Sequence, residues 1–289
     1  MAAPTPPRIS TSLTDTTRHD GTIAMGVTLF GLEFASGSAA DILATAGMTA
    51  AGRPRLIVTA NMDHIVSLSE NAAFRHAYSG AVARTLDGMP LVWLARLKGH
   101  KQAHRVTGHD ILAAVLASPW TEDRRVFLVC SDDRVGDAAT ERLHRAGAEP
   151  GSVAFAVPPL GFERDAAYSS WLAAEVKAHG STLVIMAVGA PKSEIWVDQQ
   201  GAAMGAPIVA AVGDALSVAA GLQPRAPVFM QRNGLEWLFR FVQNPKRLFH
   251  RYFVRSWRFL ALIGTELSDG RGDPPPTRRS TAEEAASKI

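Results

Sequence analysis

Leu183-Val184-Ile185-Met186-Ala187-Val188, followed without a break by Gly189-Ala190-Pro191-Lys192-Ser193-Glu194, is the stretch that decides the fold. Six apolar residues in a row with no alternation read as a strand covered on both faces. Gly189 then turns the chain, and Pro191 falls near the first position of a helix, where a missing N–H costs nothing. The same unit recurs on either side. Apolar runs stand at 55–60 (RLIVTA), 126–130 (VFLVC), 153–157 (VAFAV) and 208–212 (IVAAV), and helical spacing fills 61–78, 88–98, 107–117, 134–146, 164–178 and 192–204. Strands alternating with helices imply an α/β fold: a Rossmann-like, mostly parallel sheet with helices on both faces and right-handed crossovers. An early strand or hairpin within 22–34 is expected to add an edge to it.

The ends differ in composition. Residues 1–21 are rich in Thr, Ser and Pro, and 268–289 mix charges with Pro274-Pro275-Pro276, so both read as disordered tails. Pro224-Arg225-Ala226-Pro227 breaks the chain after the last strand-helix unit. The expected organisation is therefore a catalytic domain over 22–223 and a C-terminal helical appendage over 224–267. Cys130 is the single cysteine, which excludes an intrachain disulfide and thiolate metal sites and suits a reducing compartment. No signal peptide or membrane-spanning run is legible, so a cytoplasmic location is expected.

The 30 Lys+Arg and 27 Asp+Glu leave a net charge of only +3, too weak an average to argue for nucleic acid or membrane. Its distribution is more telling. From Trp237 to Thr265 there is no acidic residue, while Arg240, Lys246, Arg247, Arg251, Arg255 and Arg258 all fall there, so the remainder is net acidic. Nine of the 21 aromatic residues lie between Phe229 and Phe259. Spacing of i, i+4, i+8 and i+11 predicts one helix from Pro245 onward with Arg247, Arg251, Arg255 and Arg258 along one face. Such a helix is either docked on the sheet or suited to an anionic lipid or lipid diphosphate. Nucleic acid is the competing anionic partner, and none is expected.

Ligands of parallel sheets bind beyond the carboxyl ends of strands, so the residues after each apolar run are the candidates. Thr59 and Asn61 follow the run at 55–60; Asn61 also reads as a helix N-cap. Arg84-Thr85-Leu86-Asp87-Gly88-Met89-Pro90 is a turn signal, yet an Asp held at the mouth of the sheet can act as general base toward a hydroxyl if burial raises its pKa. Arg105 precedes Thr107-Gly108-His109-Asp110, a capped helix start that favours phosphate. Gly189, Pro191, Ser193 and Glu194 form one glycine opening. Gly213 and Ser217 belong to a second, and the two can form opposite lips of a crevice that takes a diphosphate on backbone N–H groups. There is no P-loop, no nucleophile elbow and no His-Glu-x-x-His spacing, and Asp132-Asp133 is adjacent pairing rather than Asp-x-Asp. Neither a metal nor an organic cofactor is expected.

Taken in order, Thr59-Ala60-Asn61-Met62-Asp63-His64, Asp87-Gly88-Met89-Pro90, Val106-Thr107-Gly108-His109-Asp110, Gly189 to Glu194, Arg225-Ala226-Pro227, Gly234-Leu235-Glu236-Trp237-Leu238-Phe239-Arg240 and 244–252 (NPKRLFHRY) resemble the bacterial WecG/TagA/CpsF glycosyltransferase family. The resemblance implies metal-independent, inverting transfer from a UDP-sugar to a polyprenyl-diphosphate-linked saccharide at the cytoplasmic membrane surface, in exopolysaccharide or cell-surface glycan synthesis. It also implies that members can form homo-oligomers. By motif position Asp87 is similar to the family's general base and Thr59 to its substrate-positioning hydroxyl. Arg105 corresponds to a group near acceptor or sugar, and Arg240 and Arg247, with Arg251 beside them, to appendage arginines that reach the diphosphates. Ser193, Leu216-Ser217 and His250 depart from the family's Gln, Phe-Asp and Arg. These departures keep an alternative open, a non-catalytic scaffold within a glycan-synthesis complex.

Overall fold

The computed structural model describes residues 25–49, 52–232, 234–243, 245–249 and 255–269. Strand parity organises its core. In the run Arg55–Ala60, Leu56, Val58 and Ala60 enter one apolar cluster and Ile57 the other, and Val184 and Met186 likewise oppose Leu183 and Ile185. A strand whose two side-chain faces are both apolar is stable only with helices on both sides.

Eight strands occur among the described residues: β1 (Met25–Leu29), β2 (Leu32–Ala35), β3 (Arg55–Ala60), β4 (Ala83–Leu86), β5 (Val126–Val129), β6 (Val153–Ala156), β7 (Leu183–Met186) and β8 (Ile208–Ala211). The last six form one sheet in the order β4-β3-β8-β7-β5-β6, with every neighbouring pair parallel. The Rossmann-like reading thus stands, and the five apolar runs are five of its strands.

The sixth, β4, escapes an apolar-run criterion because Arg84 and Thr85 fill half of it. All four of its residues are nevertheless buried. Arg84 Nε donates to the Tyr78 carbonyl at 2.6 Å and Thr85 Oγ1 to the Val106 carbonyl at 2.8 Å, so the buried polar groups are paired with backbone. The segment from 22 to 34 also departs from expectation. β1 and β2 make a separate two-stranded antiparallel sheet instead of an edge of the main one. Phe30 and Gly31 both have positive φ, 53° and 70°, which gives the tightly twisted two-residue hairpin turn.

Among the described residues, helices α1 (Ala39–Met48), α2 (Met62–Glu70), α3 (Ala72–Ser79), α4 (Met89–Leu97), α5 (Gly108–Ala117), α6 (Asp133–Arg145), α7 (Ala166–Ala178) and α8 (Lys192–Gln200) lie between the strands, and α9 (Ala215–Ala219) and α10 (Val228–Arg232) follow β8. Helix α1 was not legible as helical spacing, although Ser38 and Asp41 form a capping box at its start. The predicted helix over 61–78 is divided at Asn71, whose side chain accepts from Phe74 N–H and caps α3.

The C-terminal part continues with α11 (Glu236–Gln243), α12 (Pro245–Phe249) and α13 (Ser256–Asp269). Of the single basic helix expected from Pro245, α12 covers 245–249 and Arg255 sits in a turn just before α13; residues 250–254 lie outside the described residues. Arg251 lies outside the described residues, as does the Arg247 side chain. Arg255 pairs with Asp63 at 2.7 Å and with Glu70 at 2.8 Å, and Arg258 also pairs with Glu70. The acids that balance these arginines are therefore on α2, nearly 190 residues earlier. Phe259 is buried against the body, its ring 6.4 Å from Phe30. Lys98 pairs with Glu266, and Phe30 N–H donates to the same carboxylate at 2.9 Å. Helix α13 thereby ties α2, α4 and the N-terminal hairpin together.

One glycine positions the site directly. A Cβ on Gly108 would stand 2.9 Å from the Val212 carbonyl oxygen and 3.2 Å from its Cα, so the start of α5 rests on the end of β8. Because the obstacle is backbone, Gly108→Ala should cost about 1–3 kcal/mol and lower Tm by about 2–10 °C. Differential scanning calorimetry at matched pH checks this; an unchanged Tm would mean that α5 shifts freely.

Candidate functional site

A cavity of about 870 Å³ opens at the carboxyl ends of the central strands. Thr59 and Asn61 reach it from β3, Gly189, Ser193 and Glu194 from β7, and Gly213 and Ser217 from β8. Gly108 contributes the start of α5, and Arg240 enters from α11. The two glycine openings do share one crevice. They are adjacent rather than opposite, because β7 and β8 are paired strands. Of the remaining candidates, Thr107 is buried and forms a capping box with Asp110, and Pro191 stands at the start of α8.

Several polar groups here are already engaged. Asn61 Oδ1 accepts from the N–H groups of Asp63 and His64 at 3.0 and 3.3 Å, so its helix-capping role is real whatever else it does. Thr59 Oγ1 lies 3.4 Å from the Ala211 carbonyl, and Ser193 Oγ donates to the Gly189 carbonyl at 3.2 Å. Asp214, also in the lining, accepts from Gln223 Nε2 at 3.3 Å. Ser131, Asp132 and Asp133 line the same cavity after β5. They follow an apolar run just as the other lining residues do, so their place at the cavity is legible in the sequence.

Asp87 occupies the wall between this cavity and a second one. The smaller space, about 130 Å³, lies between α4 and α11, with Met89, Pro90, Arg105, Gly234 and Trp237 in its lining; Asp87 and Arg240 border both spaces. The Asp87 N–H donates to the Ala60 carbonyl at 2.8 Å, which fixes the residue at the tips of β3 and β4. Burial pushes the Asp87 carboxyl up to about 6, against the opposing pull of Arg240 and Arg105, with Glu236 and Asp110 adding to the rise. A carboxyl with that pKa, in a cavity wall, suits proton abstraction near neutral pH.

Helix α11 is held over Asp87 by a polar cluster. Arg105 Nη1 donates to Glu236 Oε2 at 3.1 Å, while Glu236 Oε1 lies 3.6 Å from His109 Nε2 and 3.8 Å from Arg240 Nη2. Arg240 Nη2 stands 3.0 Å from His109 Nε2, an arrangement in which a neutral imidazole accepts from the guanidinium. Burial, then Arg240 and Arg225, press His109 down to about 4, so it is neutral at physiological pH. Glu236 and His109 are not among the residues the sequence singles out: the i,i+4 spacing of Glu236 and Arg240 is a local signal, but the partners that bring them to this site, Arg105 and Arg240, are 131 residues away. Close approach of this segment to α4 explains Gly234. Its φ is +71°, and a Cβ there would come within 2.8 Å of Met89 Cγ.

Among the described residues no cluster of three or more His, Cys, Asp and Glu side chains is arranged to hold a metal ion. None of the described helices is long and apolar enough to cross a membrane. Compared with known protein families, residues 27–272 match the model of the glycosyl transferase WecG/TagA/CpsF family. The chain belongs to that family.

Proposed function

We propose that this WecG/TagA/CpsF glycosyltransferase holds a UDP-sugar in the large cavity and a lipid-linked saccharide in the smaller one, and that Asp87 is the base between them. The observation that carries this reading is the position of Asp87 and Arg240 on the boundary of both spaces. An acceptor hydroxyl in the smaller cavity loses its proton to Asp87 as its oxygen bonds to the anomeric carbon. The bond from that carbon to the phosphate oxygen breaks, and UDP takes the electron pair. Attack from the side opposite the leaving group inverts the anomeric centre, and only the acceptor side needs a base. Arg240 supplies bidentate positive charge where negative charge develops on the diphosphate. Thr59 and the backbone N–H groups after Gly189 and Gly213 position the donor.

A polyprenyl diphosphate carrier and the inner face of the cell membrane fit the outer surface of the C-terminal helices. Val242 and Trp257 are 70% and 73% exposed on these helices and give them apolar side chains to offer a lipid surface. Purified protein given lipid-diphosphate saccharides and a panel of UDP-sugars tests the reaction. Transfer with at least one donor and inverted product is expected; UDP binding without transfer to any acceptor would favour the scaffold reading instead. Membrane contact has its own check. Val242→Glu with Trp257→Glu should weaken sedimentation with anionic vesicles by about tenfold or more, since each buried side chain of this size contributes about 1.5–3 kcal/mol. Unchanged sedimentation would remove these helices from the contact.

A further inference from the structure

We propose that the outward face of α4 and the loop after it form a contact with an anionic lipid surface, set in the body of the protein at the rim of the smaller cavity and separate from the C-terminal helices. This rests on the reading of the smaller cavity as the acceptor site and adds to it the surface from which a lipid-linked acceptor enters.

Helix α4 is apolar on both sides. Leu91, Val92, Leu94 and Ala95 are buried against the body, a face that a surface helix ordinarily balances with charged residues on the other. Here Met89, Trp93 and Leu97, at i, i+4 and i+8, share the outward side, and Arg96 is the one charge in the helix. Trp93 is 53% and Leu97 72% exposed. The stripe starts at the smaller cavity, which Met89 and Pro90 line, and runs about 12 Å away from it. Trp93 stands at the rim: a Cβ on Gly234, in the facing wall, would lie 3.7 Å from its Cζ2.

The charge around this stripe has one sign. From Gly88 to His109 there is no acidic residue, while Arg96, Lys98, Lys101 and Arg105 all fall there. Lys98 pairs with Glu266 and Arg105 with Glu236. Arg96 and Lys101 are exposed, and neither has a carboxylate partner among the described residues. Arg96 Nε donates to the Ala103 carbonyl at 3.0 Å, which ties the loop back to the helix. The Lys98–Glu266 pair also joins the end of α4 to α13, where Trp257 and Leu260 are exposed. Apolar and cationic side chains on one face suit a bilayer with anionic headgroups, whose acyl boundary takes Trp and Leu while the phosphates take Arg and Lys. A nucleic acid or a free phosphate would use the charges and leave Leu97 in water.

The test uses the full chain with vesicles of phosphatidylglycerol and phosphatidylethanolamine, and with vesicles of phosphatidylcholine for comparison. Leu97→Cys takes an environment-sensitive dye, because the native Cys130 is buried. Met48→Cys is the reference, exposed on α1, which packs in the other apolar cluster from α4. The dye at 97 should shift to the blue with the anionic vesicles and less with phosphatidylcholine, and the dye at 48 with neither. Trp93→Ser with Leu97→Ser should weaken sedimentation with anionic vesicles by about tenfold or more. Arg96→Gln with Lys101→Gln should weaken it by about tenfold, a difference that about 1 M salt removes. Both double variants should keep the wild-type Tm and UDP affinity, and should raise KM for an acceptor embedded in the vesicles while keeping kcat. The same response at 97 and 48, or double variants that sediment as the wild type does, would overturn the contact. A dye at 97 that is shielded without vesicles, in a dimer that the Ser variant splits, would overturn it in favour of a second copy of the chain. Vesicle contact through this face by a wild type that transfers sugar to no acceptor would uphold the contact and overturn the acceptor-site reading alone.

Discussion

Asp87→Asn should reduce turnover by about 10²–10⁴-fold while leaving UDP affinity close to that of the wild type. Asn has nearly the same shape and preserves the backbone hydrogen bond to Ala60, but it cannot take a proton. The wild-type pH profile should carry the same signature. Proton abstraction needs the carboxylate, so kcat/KM should fall as pH drops below about 6, the value to which burial raises Asp87. Burial is the main cause; Arg240 and Arg105 pull the value down and Glu236 and Asp110 push it up, so the charged neighbours partly cancel. Stability should move oppositely to activity. An acid whose pKa is raised by folding contributes stability at low pH that is lost as pH rises through its folded pKa, so Asp87→Asn should be more stable than wild type at pH 8 by about 1–3 kcal/mol and no more stable at pH 3. Full activity of the Asn variant would remove Asp87 from the chemistry. Loss of activity with an altered Tm at pH 3 would instead point to a packing defect.

Arg240→Ala should cost about 10²–10³-fold in kcat/KM, the usual scale for removing a charged donor from a developing anion. Arg240→Lys should recover only part of it, because a point charge cannot reproduce a planar fork that reaches two oxygens. The structure supplies an independent readout. Arg240 is the second-largest cause holding His109 down at about 4, after burial, and it donates to the same imidazole nitrogen that faces Glu236. Its removal should therefore let the His109 pKa rise toward its ordinary value, a shift that NMR titration of the imidazole can follow. Activity lost without any change at His109 would separate the two roles, leaving Arg240 as a substrate contact only. A shift at His109 with normal kcat/KM would show that Arg240 merely closes the appendage onto the body.

The legible parts of this protein are those governed by neighbours in the chain. The five apolar runs become strands β3, β5, β6, β7 and β8 because continuous hydrophobicity over five or six residues has one main structural use in an α/β protein. Asp87 was found from its Asp-Gly-x-Pro turn even though the strand before it was missed, since turn chemistry is local. Strand β4 is hidden because Arg84 and Thr85, paired with the backbone carbonyls of Tyr78 and Val106, break the apolar run between the buried Ala83 and Leu86. The basic stripe misled in a similar way. Arg255 and Arg258 looked free of opposite charge within their own segment, and their acids are on α2.

By itself, then, the sequence determined that strands alternate with helices, that the candidate site residues follow the strands, and that a basic, aromatic segment lies on the C-terminal side of them. Periodicity, turn propensity and side-chain chemistry act over a few residues, so they can be read in order. Only the tertiary structure decided that β8 lies between β3 and β7, bringing their ends into one cavity. It also decided that Glu236 joins Arg105, His109 and Arg240, and that Asp87 stands on a wall shared by two spaces. Hydrogen bonds, ion pairs and desolvation depend on distances between atoms, and pairs such as Arg105 with Glu236 or His109 with Arg240 are 131 positions apart, so no local pattern encodes those distances.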